Sequence, residues 1–230
     1  MVYACLDPPA RQRGARRALA SVSLPRDAAS QLRSFGEVDE VQQSPVEPRA
    51  VVLVEGVSDQ QALEALAKRR GRDIAREGIQ IVPMGGASTI GRFLASFGPQ
   101  GLNVTLAGLC DVAEVRDFQR GLQRAGLGAD LTPAAMESLG FYVCVADLED
   151  ELIRSLGVAA VERVVEAQGE LGSFRTLQRQ PAHRGRSVEQ QLRRFMGTRS
   201  GRKIQYARLL VEALDLNRVP RPLDRVLAHV

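Results

Sequence analysis

The chain has 230 residues, enough for one good-sized domain plus an appendage, and its 44% hydrophobic content can bury an aliphatic core, since Trp is absent and aromatics make up 4%. Three cysteines without a CxxC pair exclude a disulfide-stapled scaffold, and no apolar stretch approaches the ~18 residues of a membrane span. Net charge is +4 but uneven: residues 1–49 carry 7 basic against 6 acidic residues, 50–171 carry 11 against 17, and 172–230 carry 13 against 4.

An acidic centre followed by a basic tail suits a site that holds cations beside a surface that holds a polyanion; solvated Arg-rich helices would give the same pattern. No secretory h-region is read, and Cys110 and Cys144 lie in apolar runs as buried free thiols. The expectation is a soluble cytoplasmic protein.

Residues 1–48 show no sustained period. DPPARQRGARR and QQSPVEPR read as flexible linker, with a short helix around Asp27–Ser34. From Ala50 the pattern becomes regular. AVVLV is apolar on both faces, as a central parallel strand must be when helices cover both sides of its sheet. It stops at Glu55-Gly56, and a helix of about Ser58–Arg70 follows, with Ser58 or Asp59 as its cap.

Ile79–Val82 is a second strand; PMGGAST then turns into a helix near Thr89–Phe97. Leu102–Leu109 is a third strand ending in Cys110-Asp111, with a helix from about Val112 to Arg124, and AGLGADLTP is a loop. Phe141–Val145 is a fourth strand, ending in Ala146-Asp147 before the acidic helix LEDELIRSLG. Strands alternating with helices predict an α/β fold: a parallel four-stranded sheet flanked by helices over residues 49–157. Beyond Gly157 the strands cease. Helices over Val158–Gln168, Val188–Met196 and Ile204–Leu214, with a last turn after RVPRP, make residues 158–230 a helical, basic C-terminal region.

Three of the four strands end in an acid: Glu55, Asp111 and Asp147, the last followed by Glu149, Asp150 and Glu151. In a parallel sheet all of them gather at one edge, where open α/β sheets place their ligands. Clustered carboxylates repel, and hard oxygen donors of this kind suit Mg²⁺ or Mn²⁺. An acid after a strand is also an ordinary helix cap, but three independent strand ends weaken that reading.

VEGVSD, the strand-end Asp111 and ADLEDEL together resemble the TOPRIM fold shared by topoisomerases, primases and recombination proteins. The likeness is closest to the TOPRIM domain of OLD (overcoming lysogenization defect) nucleases, which also place an IxxxGG element after the second strand, matched by IVPMGG. It covers about residues 50–157, and SGRKIQYARLL resembles the Lys-containing C-terminal part of those enzymes.

The resemblance implies a nuclease or related phosphoryl-transfer enzyme using one or two divalent ions. It assigns Glu55, Asp59, Asp111, Asp147 and Glu149 as metal ligands, Glu55 also as catalytic, and Lys203 as the lysine that stabilises charge on the scissile phosphate. The family's DxD is here Asp111-Val112-Ala113-Glu114, so the second acid is displaced by one residue onto Glu114. OLD-type proteins carry an ATPase domain that is not read in these residues, so a separate ATPase partner is a further expectation, as is an oligomer.

Gly86–Phe93 superficially looks like a P-loop, but Arg92 and Phe93 stand where Lys and Ser/Thr would hold phosphate and Mg²⁺. Gly85-Gly86 is then either a plain turn or a turn that approaches a phosphate through its N–H groups. His183 is read as an exposed loop residue. Arg186, Arg193 and Arg202, with Arg184, Arg194 and Arg199, are candidate phosphate contacts, or else a solvated helix face. The functional expectation is a metal-dependent nuclease on nucleic acid, DNA foremost. Ala113 favours the alternative, a non-catalytic nucleic-acid or protein interaction module with a degenerate metal site. A small nucleotide as substrate is a third reading, which a closed pocket would favour.

Overall fold

A computed structural model describes residues 47–199 and 201–230. The expectations for the N-terminal segment, including the Asp27–Ser34 helix, fall outside the described residues except at Glu47 and Pro48. The strands are β1 (Ala50–Val54), β2 (Ile79–Pro83), β3 (Thr105–Asp111) and β4 (Phe141–Cys144). The α-helices are α1 (Val57–Arg69), α2 (Ile90–Phe97), α3 (Val115–Arg124), α4 (Pro133–Ser138), α5 (Leu148–Leu156), α6 (Val158–Ala167), α7 (Leu171–Arg179), α8 (Val188–Met196), α9 (Arg202–Ala213) and α10 (Arg221–His229). None is long and apolar enough to cross a membrane.

The sheet is wholly parallel in the order β2-β1-β3-β4. All five residues of β1 are fully buried, as its two-sided apolar run requires. Alternation along β1 sends Ala50, Val52 and Val54 to one face and Val51 and Leu53 to the other. The first face packs on Ala62, Leu63 and Leu66 of α1, and that core continues into Tyr206, Leu210 and Val211 of α9. The second packs on Ile90 and Leu94 of α2, Phe118 and Leu122 of α3, and Met136 of α4. Gly108 of β3 sits where a Cβ would come within 2.5 Å of the Phe141 ring, so only glycine lets β4 close up here.

Of the C-terminal helices, α9 therefore covers this face of the sheet through α1, while α10 packs directly on β3 and β4. Arg69 at the end of α1 donates to the carbonyls of Val211 and Leu214, both at 2.7 Å, satisfying orphan acceptors at the end of α9. Arg70 pairs with Asp224 at 2.5 Å, and Arg72 donates to the Val230 carbonyl at 2.9 Å, tying down α10.

Several expectations are corrected. The third strand starts at Thr105 rather than Leu102 and runs through Asp111. The loop AGLGADLTP ends where α4 begins, at Pro133, in a stretch given no element; the helix is capped by the Thr132 hydroxyl, which accepts from the Ala135 N–H at 3.2 Å. Helix α7 was not anticipated, and the expected last turn is a nine-residue helix, α10. The N-cap of α1 is Gly56, and Asp59 reaches back from the first turn to accept its N–H at 2.9 Å. His183 is buried in a short 3₁₀ turn rather than exposed.

Candidate metal centre and nucleic-acid interface

Strand order reverses between β1 and β3: the chain leaves β1 toward β2 on one side and returns to β3 on the other. A crevice at such a switch point is where the carboxyl edge of an α/β sheet takes its ligand. Glu55 follows β1 and Asp111 ends β3, so the two acids flank that point. Glu114 joins them. Residues Val112–Glu114 form a 3₁₀ turn directly after Asp111, and this tight turn brings the Glu114 side chain back to the strand end. One oxygen from each of Glu55, Asp111 and Glu114 lies within 4.8 Å of the others, a group able to hold a metal ion. One buried Glu114 oxygen has no hydrogen-bond partner, as an acid awaiting a cation would show. The displaced acid after Ala113 thus reaches the cluster through local geometry.

The turn after β2 holds Glu55 in place. Gly85 and Gly86 donate their N–H groups to the Glu55 carbonyl at 3.0 and 3.2 Å. Their φ values of 75° and 121° lie in the region that favours glycine. The Thr89 hydroxyl donates to the Gly86 and Met84 carbonyls at 2.7 and 3.0 Å. This corrects the phosphate reading of Gly85 and Gly86: both N–H groups are already used, and what they position is a carboxylate residue.

The second set of acids comes from the start of α5, just after β4. Asp147 caps α5, accepting from the Asp150 N–H at 2.9 Å, and its other oxygen meets Arg193 Nε at 2.5 Å. Glu149, in the first turn of α5, is 2% exposed. Lys203 Nζ at the start of α9 lies 3.1 Å from its Oε2, without hydrogen-bond alignment, and neither Glu149 oxygen has a donor. Asp147, Glu149, Arg186, Arg193, Arg194 and Lys203 line one open cleft of about 440 Å³. The structure thus joins the basic surface to the acidic edge.

The electrostatics of the edge follow from burial and mutual repulsion. Burial, then the charges of Glu55, Asp59 and Asp147, push the Asp111 carboxyl up to about 7. Burial and the neighbouring Glu55 and Asp111 raise Glu114 to about 8. Asp59 rises to about 6 through burial, against its bond from Gly56 and the charge of Lys203. Glu149 rises to about 7 through burial, opposed by Lys203. Burial alone would lower Lys203, but the Glu149, Asp59 and Asp147 carboxylates outweigh it and the ammonium is held more firmly than usual. Four carboxyls raised together mark an edge that lacks positive charge when no metal is bound.

Not every expected contact belongs to the site. Arg202 is 6% exposed, and its guanidinium bonds Glu170 at 2.8 Å, the Thr198 hydroxyl at 2.6 Å and the Phe195 carbonyl at 3.1 Å. It also lies 4.0 Å over the Phe195 ring. Tyr206 donates to the other Glu170 oxygen at 2.9 Å. Arg202 is therefore an internal anchor, and its one unbonded donor, Nε, is buried out of a phosphate's reach, which corrects its assignment as a surface contact. Glu170, which no sequence motif marks, serves that anchor. Glu151 of ADLEDEL stays out of the cluster: buried, it accepts from the Val145 N–H at 2.8 Å and pairs with Arg154 at 2.7 Å, closing the end of β4.

Comparison with known proteins agrees with this fold. Residues 48–112 match the family model described as "Overcoming lysogenization defect protein-like, TOPRIM domain". The chain is similar to the C-terminal region of the Xanthomonas campestris pv. campestris OLD protein, with a TM-score of 0.65 and 23% identity over 80% of this chain and 92% of that one. It is also similar to the C-terminal region of the Burkholderia pseudomallei OLD protein, with a TM-score of 0.60 and 18% identity over 80% of this chain and 97% of that one. No curated protein matches the sequence. The shared architecture runs through the helical C-terminal region as well as the sheet. Residues 48–112 are thus similar to OLD-like TOPRIM domains, and the chain shares the fold of those OLD C-terminal regions.

Proposed function

We propose that this protein is a Mg²⁺- or Mn²⁺-dependent nuclease acting on nucleic acid, with DNA as its first candidate substrate. The observation that carries the reading is a juxtaposition: an acidic triad at the switch point of the sheet, and, near enough for Asp147 and Lys203 to act on the Asp111 charge, a cleft that Glu149 and Lys203 line with Arg186, Arg193 and Arg194. Glu55, Asp111 and Glu114 would hold one ion, and Asp59, Asp147 and Glu149 would serve a second. Divalent ions held by such carboxylates supply Lewis acidity toward phosphoryl oxygens and toward water. Lys203 supplies a fixed positive charge where a scissile phosphate gains negative charge, and Arg186, Arg193 and Arg194 supply the donors that hold a backbone in register. The openness of the cleft favours a polymer over a small nucleotide.

Ala113 favours the alternative, a binding module with a decayed metal site. The Glu114 oxygen within 4.8 Å of Glu55 and Asp111 weighs against it. The test is cleavage of labelled single- and double-stranded DNA with Mg²⁺, Mn²⁺ or EDTA, in the wild type, Glu55→Ala and Lys203→Ala. Metal-dependent cleavage that disappears in Glu55→Ala supports the nuclease reading. Salt-sensitive DNA binding without cleavage under either metal would move the assignment to the binding module.

A further inference from the structure

The two ends of the acidic edge are neutralised in different ways. Among the described residues, Glu55, Asp111 and Glu114 form no ion pair with a Lys or Arg side chain, whereas Glu149 meets Lys203 and Asp147 meets Arg193. Burial within these two pairs is lopsided. The Glu149 and Asp147 side chains are 3% and 13% exposed, while Lys203 and Arg193 are 48% and 45% exposed. The acids are fixed and the cations are half in solvent. Both cations also line the cleft assigned to the phosphate backbone.

We infer that Lys203 and Arg193 stand in for a divalent ion on Glu149 and Asp147 in the free protein, and that the phosphates of a bound strand draw them off. Ion binding at this end is then coupled to substrate, while the Glu55–Asp111–Glu114 end takes its ion independently. The inference rests on the nucleic-acid reading above and adds an order of events to it.

The exchange conserves favourable contacts: each cation leaves a carboxylate for a phosphate, and each carboxylate gains a divalent ion. Breaking the pairs with nothing in return would strand a buried charge at Glu149. The exchange needs only side-chain motion. Arg202, next to Lys203, is locked to Glu170 and Phe195, and Arg193 stands on α8 beside buried Leu192, so neither helix has to shift. Lys203 is thus a gatekeeper of the second ion as well as a charge for the phosphate, and Arg193 is a positioning residue whose partner is Asp147 until the strand arrives.

Counting bound Mn²⁺ tests this without any turnover. Mn²⁺ per chain is measured by electron paramagnetic resonance of the free ion, with calorimetry, on the full chain alone and with a cleavage-resistant phosphorothioate oligonucleotide. The expected result is one ion per chain alone and two with the oligonucleotide. The Lys203→Met, Arg193→Gln double variant is expected to bind two without it, and Arg194→Gln to keep the wild-type count. Two ions on the free wild type, or one on a double variant with native circular dichroism, would overturn the inference. An oligonucleotide that binds without raising the wild-type count would overturn the coupling. If the oligonucleotide does not bind at all, the nucleic-acid reading fails instead, and the count on the double variant still decides whether the protein's own cations exclude an ion.

Discussion

The triad of Glu55, Asp111 and Glu114 and the set of Asp147 and Glu149 share an edge and a charge, yet they are built differently. The triad is local to the sheet: two strand ends and one 3₁₀ turn supply it, and a glycine turn after β2 holds the Glu55 backbone. The other set is completed from far along the chain, with Arg193 of α8 on Asp147 and Lys203 of α9 on Glu149. Asp111 and Glu114, buried beside other acids and with no cation on them, are raised to about 7 and 8 and call for metal. Acids given cations by a distant helix are held in reserve. The helical tail is thus part of the site as well as a cover for the sheet.

The comparison breaks most sharply at Asp111. Asp111→Asn removes a central donor of the triad, so metal-dependent cleavage should fall by about 10³-fold, equivalent to several kcal/mol of lost stabilisation. The same change removes a buried acid that its neighbours repel, so the metal-free protein should become about 1 kcal/mol more stable at pH 8. Denaturant melts in EDTA beside cleavage assays check both signs. A loss of stability equal to the loss of activity would mean Asp111 is structural.

On the other side, the tail depends on Arg202. Arg202→Met leaves Glu170 paired only with Tyr206 and Arg199, and should cost about 2–4 kcal/mol by urea titration, somewhat under the ~3–5 kcal/mol for a fully buried pair because Glu170 is partly exposed. Burial would raise Glu170, but its bonds from Arg202 and Tyr206 outweigh this and hold it below the ordinary carboxylate value. A depressed carboxyl contributes stability above its unfolded pKa and loses it as pH falls through the folded value. The gap between wild type and variant should therefore be full at neutral pH and close in acid, below the ordinary carboxylate range.

A pH series sharpens the contrast further. Asp59, Asp111, Glu149 and Glu114 are raised to about 6, 7, 7 and 8, so between pH 5 and 8 the folded protein binds more protons than the unfolded chain. Stability of the metal-free protein must then fall as pH rises through that window. Mn²⁺ should reverse the slope, because ligation requires the deprotonated acids. Thermal melts from pH 5 to 8, with EDTA and with Mn²⁺, should diverge steadily toward high pH.

The smallest effect belongs to the cleft. Arg194→Gln should leave metal binding unchanged, weaken DNA binding about equally for all sequences, and lower the slope of log affinity against log salt by about 1. Fluorescence anisotropy at several salt concentrations measures it.

The strand ends were legible because a two-sided apolar run has to stop somewhere: Glu55 and Asp111 are where two of them stop, and Asp147 caps the helix three residues past the end of β4. Parallel topology then followed from the alternation with helices, and with it the shared edge. Other features depend on contacts that no local pattern encodes. Arg193 and Arg202 stand nine positions apart in the same basic stretch, yet one lines the cleft and the other is buried against Glu170. Gly85 and Gly86 announced a turn, but the destination of their N–H groups is the carbonyl of a residue thirty positions earlier. Helix α4 did carry a signal, Thr132-Pro133 as cap and first residue, which the glycines before it obscured. Helix α7 buries only Phe174 and Leu177, too few apolar positions to show a helical period.

The most direct test of the metal site is the anomalous scattering of Mn²⁺ in crystals of the protein without nucleic acid. A peak among the carboxylates of Glu55, Asp111 and Glu114, with Lys203 still on Glu149, is the result this account predicts. A peak at Glu149 alone, or none at the edge of the sheet, would contradict it.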